Sequence, residues 1–94
     1  MKRIVLIHTV RSVMEPFEAR LKAALGEITV YNMLDEFLSV DPNRNGCFTQ
    51  TNVSRLQKLL DIAAMTDADL IASTCSTLSE HLRRMRDSVS IPVI

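Results

Sequence analysis

The feature that most constrains this chain is the regular alternation of short apolar runs with stretches of helical periodicity. Residues 2–7, 28–34, 70–72 and 91–94 are β-rich or continuously apolar, with Thr29, Val30 and Tyr31 favouring extended backbone. Between them lie three stretches whose apolar residues recur every three or four positions. Val13, Phe17, Leu21, Ala24 and Leu25 form the first, opened by Ser12 as a cap and closed by Gly26. Val53, Leu56, Leu59, Leu60 and Ala63 form the second, capped by Thr49 or Thr51, with Arg55, Gln57, Lys58 and Asp61 outside. Leu78, Leu82, Met85 and Val89 form the third, with a Glu80/Arg84 pair at i,i+4 on its outer side. The order β-α-β-α-β-α-β predicts an α/β fold: one domain over residues 1–94, with a four-stranded parallel sheet flanked by three helices. Residues 35–48 carry the turn signals Asp41-Pro42-Asn43 and Asn45-Gly46 and are expected to be a long loop.

A strand order of 2-1-3-4 with right-handed crossovers puts the first helix on one face and the second and third on the other. The loops after strands one and three then lie side by side at the switch point, where open α/β sheets bind ligands. His8 and Thr9 are therefore expected to face residues 74–77. The same topology leaves strands three and four uncovered on one face, with strand four an apolar edge that Pro92 blunts only in part. A parallel sheet with a bare face predicts a following segment or a partner subunit, a second copy included, to cover it.

Composition excludes several classes of function. Eleven basic and eleven acidic residues cancel, and four aromatics without Trp offer no stacking platform, so a nucleic-acid partner is not expected. No stretch approaches the roughly 20 apolar residues of a membrane span, and the apolar run after Lys2-Arg3 stops at His8 without a cleavage site. A cytoplasmic location follows, with Cys47 and Cys75 as reduced thiols. Neither pairs with His8 or His81 at metal-ligand spacing, so no metal is expected.

The chemistry concentrates where the third apolar run meets the third helix. Residues 73–77, Ser-Thr-Cys-Ser-Thr, put small hydroxyl side chains at a strand-to-helix junction. There they can supply cap oxygens, and the first helical N–H groups and the helix dipole can meet an anion. A thiol in that field ionises more readily than a free one. Cys75 is thus the candidate nucleophile or acid/base, against the alternative of a small buried hydrophobe at a strand end. Other thiol motifs fail: His81 stands where a phosphate-loop phosphatase needs Arg, and the flanking glycines of an α/β-hydrolase elbow are missing. His8 is either a substrate-orienting residue or a satisfied loop histidine. His81 is expected to be solvated, and Cys47 lies in the long loop at the same end of the sheet.

Ile4-Val5-Leu6-Ile7-His8-Thr9-Val10, Asn32-Met33-Leu34-Asp35-Glu36, Ala68-Asp69-Leu70-Ile71-Ala72-Ser73-Thr74-Cys75-Ser76-Thr77 and Ser90-Ile91-Pro92-Val93-Ile94 together resemble the N-terminal half of the aspartate/glutamate/hydantoin racemase superfamily. The resemblance implies one half of a two-domain fold and cofactor-independent proton transfer at the carbon α to a carboxylate of an amino acid or related small acid. It implies that Cys75 is one of two facing acid/base thiols, the second lying in a C-terminal half beyond Ile94, so that the 94-residue chain alone is inactive. Thr74, Ser76 and Thr77 would bind the substrate carboxylate, with His8 and Thr9 orienting it. Ser76 stands where many members have Asn, and the loop at His8, Thr9 and Val10 lacks the family's Asp-Ser-Gly pattern. Two alternatives stay open: a non-catalytic carboxylate-binding module, and a decarboxylase or cis-trans isomerase of the same superfamily.

Overall fold

A computed structural model describes residues 2–94 of the chain. Strand β1 (Lys2–His8) leads through a 3-10 turn (Arg11–Val13) into helix α1 (Met14–Leu25) and strand β2 (Ile28–Leu34). Helices α2 (Phe37–Asn45) and α3 (Gln50–Ala63) follow in succession, then strand β3 (Leu70–Ser73), helix α4 (Ser76–Met85) and a second 3-10 turn (Arg86–Ser88). The sheet is parallel, in the order β2-β1-β3. β1 pairs with β2 from Lys2 opposite Ile28 to His8 opposite Leu34, and with β3 from Ile4 opposite Leu70 to Ile7 opposite Ser73.

β1 is central because only its run Ile4-Val5-Leu6-Ile7 is apolar enough to be buried on both faces. Val5 and Ile7 point into the main core with Leu38, Leu56, Leu60, Ile71, Leu78 and Leu82, so α2, α3 and α4 share that face. Ile4 and Leu6 point the other way, into a smaller cluster with Ile28, Val30, Leu70, Ala72 and Leu21 of α1. The expected distribution of helices over the two faces is therefore present. α1 buries none of its residues completely, and beside it runs an open trough of about 360 Å³ lined by Ile4, Leu6, Phe17, Leu21, Leu25, Leu70, Ala72, Ser73, Ser79 and Ile94. This is the bare face that the topology predicts.

Four expectations need correction. The fourth strand does not form: Val93 makes one isolated bridge to Ile71, in which the Ile71 N–H donates to Pro92 O (2.9 Å) and the Ile94 N–H to Ile71 O (2.9 Å). Pro92 has no N–H to extend a ladder, and β3 offers only four residues to pair with. The sheet thus has three strands among the described residues.

Among the described residues there are four α-helices rather than three, because residues 37–45 of the expected loop are helical. Asp35 starts this helix by accepting the Phe37 N–H on Oδ1 (3.1 Å), and Gly46, at φ 73°, ends it with its N–H on Pro42 O (2.8 Å). Third, Ser12 does not cap α1; it sits inside the 3-10 turn, and the α-helix starts two residues later. Fourth, His8 belongs to β1 rather than to the loop after it, and is fully buried.

Of the two candidate caps of the next helix, Thr49 is the one used. Its Oγ1 accepts the Asn52 N–H (3.3 Å), while Asn52 Oδ1 accepts the Thr49 N–H (2.8 Å). Asn52 also donates to Asp41 Oδ2 (3.0 Å), so this buried amide ties α2 to α3. The Glu80/Arg84 pair forms as expected, at 3.2 Å on the surface of α4. No helix of the described residues is long and apolar enough to cross a membrane.

Candidate functional site

The turn from β3 into α4 is built around the backbone of Cys75. Cys75 is extended (φ −113°, ψ 121°) and is the N-cap of α4, but its own side chain makes no capping hydrogen bond. The Ser73 hydroxyl instead closes on the turn itself, accepting the Cys75 N–H (3.0 Å) and donating to the Cys75 carbonyl (3.1 Å). That carbonyl also accepts the first helical bond, from the Ser79 N–H (3.2 Å), and the Ser79 hydroxyl (3.2 Å). The N–H groups of Ser76, Thr77 and Leu78 precede this first bond, so they are the helix's orphan donors. Ser76 and Thr77 are exposed, and Cys75 is half-buried.

β1 ends against this turn. The Thr74 N–H donates to Ile7 O (3.1 Å), and the His8 ring meets the Thr74 hydroxyl through Nδ1 (2.8 Å). The opposite ring nitrogen, Nε2, meets Asn32 Oδ1 (2.8 Å). Asn32 is oriented in turn by its own amide, which donates to Glu18 Oε1 (2.8 Å), while Lys22 donates to Glu18 Oε2 (2.7 Å). Hydrogen bonds from Lys22 and then Asn32 hold the Glu18 carboxyl below the usual carboxylate range. A polar chain therefore runs from α1 through β2 and β1 to the β3–α4 turn.

Of the residues singled out in the sequence, His8 and Thr74 are in direct contact, and Thr9 is buried at the end of β1. Ser76 and Thr77 occupy the first turn of α4. Cys75 faces the other way. Side chains alternate along a strand, so His8 and Thr74 extend the face of Ile4 and Leu6, whereas Cys75 packs against the core cluster of Val5, Ile7, Ile71 and Leu78. Cys47 is exposed and, like Cys75, a free thiol. His81 is half-buried and stacked on Phe48, with ring centroids 4.1 Å apart, because the chain between α2 and α3 folds back over α4. Among the described residues no group of three or more His, Cys, Asp and Glu is placed to hold a metal ion.

Two polar arrangements at the same end of the sheet were not read from the sequence. Asn32 and Glu18, which fix the ring of His8, are the first. Asn32 lies opposite Leu6 in the β1–β2 register and so shares the face of His8, which is the signal that could have found it. The second is Asp35, whose N–H donates to the His8 carbonyl (2.9 Å) and whose carboxylate is bound at both oxygens by Arg55, Nε to Oδ2 at 3.0 Å and Nη2 to Oδ1 at 2.9 Å. The Arg55 guanidinium lies 4.7 Å over the Phe37 ring, and its bond to Asp35 raises its affinity for its proton. Comparison with protein-family profiles, with characterised proteins and with solved structures finds no match to this chain.

Proposed function

We propose that this domain is one half of a cofactor-independent racemase or isomerase acting on a small acid, with Cys75 as one of its two acid/base groups. The observation that carries this reading is the meeting of a strand–cysteine–helix turn with the end of β1, through the His8–Thr74 contact of 2.8 Å. Inversion at a carbon α to a carboxylate needs a base on one face and an acid on the other. The Cys75 thiolate breaks the Cα–H bond by taking the proton onto sulfur. The electron pair moves into the carboxylate, where the orphan N–H groups of Ser76 and Thr77 stabilise the added charge. Thr74 binds the same carboxylate, and His8 and Thr9 orient it.

The second acid returns a proton from the opposite side and is supplied by a second half, which also covers the trough beside α1. A reducing, cytoplasmic setting suits two free thiols.

The test is deuterium exchange at Cα, followed by proton NMR in heavy water across a panel of amino acids and small α-substituted acids. A single thiol abstracts and returns the proton on one face, so the isolated chain is expected to exchange without inverting. Exchange at an undiminished rate in Cys75→Ser would remove Cys75 from the chemistry. Racemisation by the chain alone would remove the need for a second half.

A second reading is favoured by the packing of Cys75 against Ile71 and Leu78. In it the thiol is a structural hydrophobe, and the domain binds a small carboxylate without turning it over. Carboxylate binding that survives Cys75→Ser, with no exchange at Cα, is the outcome specific to this reading.

A further inference from the structure

The two edges of the sheet differ. Outside β3, Ile71 is clasped by Pro92 and Ile94. β2 forms the opposite edge and is the longer strand, its seven residues paired with β1 in unbroken register. One bond fixes which way its backbone faces. The Asp35 N–H donates to His8 O (2.9 Å), so by the alternation of a parallel ladder residues 29, 31 and 33 turn their backbone groups to β1. Ile28, Val30, Asn32 and Leu34 turn theirs outward, where those backbone groups meet no partner among the described residues. Edge strands are ordinarily shielded by a proline, a charged side chain, a bulge or a covering element. β2, Ile-Thr-Val-Tyr-Asn-Met-Leu, contains no proline, glycine or charge, and its register has no bulge.

We propose that the β2 edge is a dimerisation surface, and that its partner is β2 of a second copy of this chain, run antiparallel about a two-fold axis at Tyr31. In that register Val30 faces Asn32 of the second copy and Ile28 faces its Leu34. Every outward N–H and C=O is then matched by one from the other chain. Tyr31 meets its own counterpart on the axis as a cross-strand aromatic pair. Two three-stranded sheets become one of six strands, whose two ends are both clasped β3 edges, and the symmetry closes the assembly at two chains.

Charge on α1 identifies a second copy as the occupant. α1 overhangs β2 on the face of Ile28 and Val30, where Asn32 donates to Glu18 (2.8 Å) and Lys22 pairs with Glu18 (2.7 Å). Glu18 therefore stands at the level of Asn32. The helix runs back along β2, and four helical residues rise about 6 Å, close to the roughly 6.6 Å of two strand residues, which puts Lys22 at the level of Val30. The two-fold axis exchanges those two levels. Glu18 of each chain then faces Lys22 of the other, and charges of alternating sign line the seam between the two α1 helices. An unrelated extended peptide would satisfy the strand but not this charge pattern. β1 separates the seam from the Cys75 turn and α1 separates it from the trough, so the dimer does not depend on the functional reading and leaves both open.

The experiment is a concentration series of the whole chain by analytical ultracentrifugation, with NMR of a sample mixed from labelled and unlabelled copies. A species of twice 10.6 kDa is expected to grow with concentration. The Val30, Asn32 and Leu34 amides should gain protection from solvent exchange with it, and an intermolecular contact should appear between the α-protons of Thr29 and Met33, which this register sets opposite each other. Glu18→Lys and Lys22→Glu should each weaken dimerisation about tenfold, since each alters two symmetric, exposed ion pairs, and the double swap should restore it. Val30→Pro removes an N–H that β1 does not use and should leave a folded monomer. A chain that stays at 10.6 kDa up to millimolar concentration, a dimer whose β2 amides remain unprotected, or a double swap no stronger than either single variant would each overturn the proposal. A dimer abolished by Leu25→Glu and indifferent to the changes at Glu18 and Lys22 would overturn it too, by placing the contact in the trough.

Discussion

At the scale of single residues, several polar side chains of this domain are committed to one another, and titration exposes those commitments. Tyr31 donates to Asp67 Oδ1 (2.9 Å), and Asp67 also pairs with Arg3 (3.1 Å). Ionising the phenol would destroy the bond and set a second negative charge beside Asp67, so the Tyr31 pKa is raised. A folded-state value above the unfolded one means that the bond contributes fully below the unfolded pKa and is lost as pH rises through the folded one. Tyr31 is the only tyrosine, and there is no tryptophan, so the near-ultraviolet absorbance of the chain reports it directly. The alkaline transition is expected above that of free tyrosine, and Asp67→Asn should move it back. The candidate site is similarly a matter of commitments. That His8 would meet Thr74 was legible from strand order, but that Cys75 turns to the opposite face follows from the pleat, which only the register decides.

At the scale of elements, strands and amphipathic helices were legible because apolar spacing reports burial directly. β2 and the buried stripe of α3 at Leu56, Leu60 and Ala63 stand where the sequence puts them. α2 was not legible, for a physical reason. It buries only Leu38, it carries Pro42 in its interior, and its ends are made by turn-forming residues, so local chemistry spells a loop. What holds it is the Asn52–Asp41 bond and the packing of Leu38 into the main core. Both glycines end helices and have open space around the position of an added Cβ, so substitution there measures backbone cost alone. Gly46 is left-handed (φ 73°, ψ 8°), and Gly46→Ala should cost about 1 kcal/mol in urea unfolding. Gly26 (φ 80°, ψ −134°) lies outside that well, in a region that side chains avoid, so Gly26→Ala should cost more, about 1–3 kcal/mol.

At the scale of the whole molecule, the chain is a slab with Cα extents of 40 × 29 × 17 Å, three helices on one face and one on the other. That asymmetry leaves the trough beside α1 open, with Leu25 51% and Phe17 37% exposed along its wall. Leu25→Glu is therefore expected to shift stability by no more than about 0.5 kcal/mol, as surface changes do, while lowering binding of an apolar fluorescent dye; a large loss of stability would mean that Leu25 is packed after all. The outer edge of β3 has a different vulnerability. A single residue, Ile71, makes both backbone bonds that hold the last residues against it. Release of residues 92–94 from Ile71 breaks two hydrogen bonds and the core contact of Val93, so the edge can uncover by local opening, at lower cost than global unfolding. The barrier to templated strand addition here is the lifetime of that clasp, which makes residues 92–94 a guard of the β3 edge against aggregation.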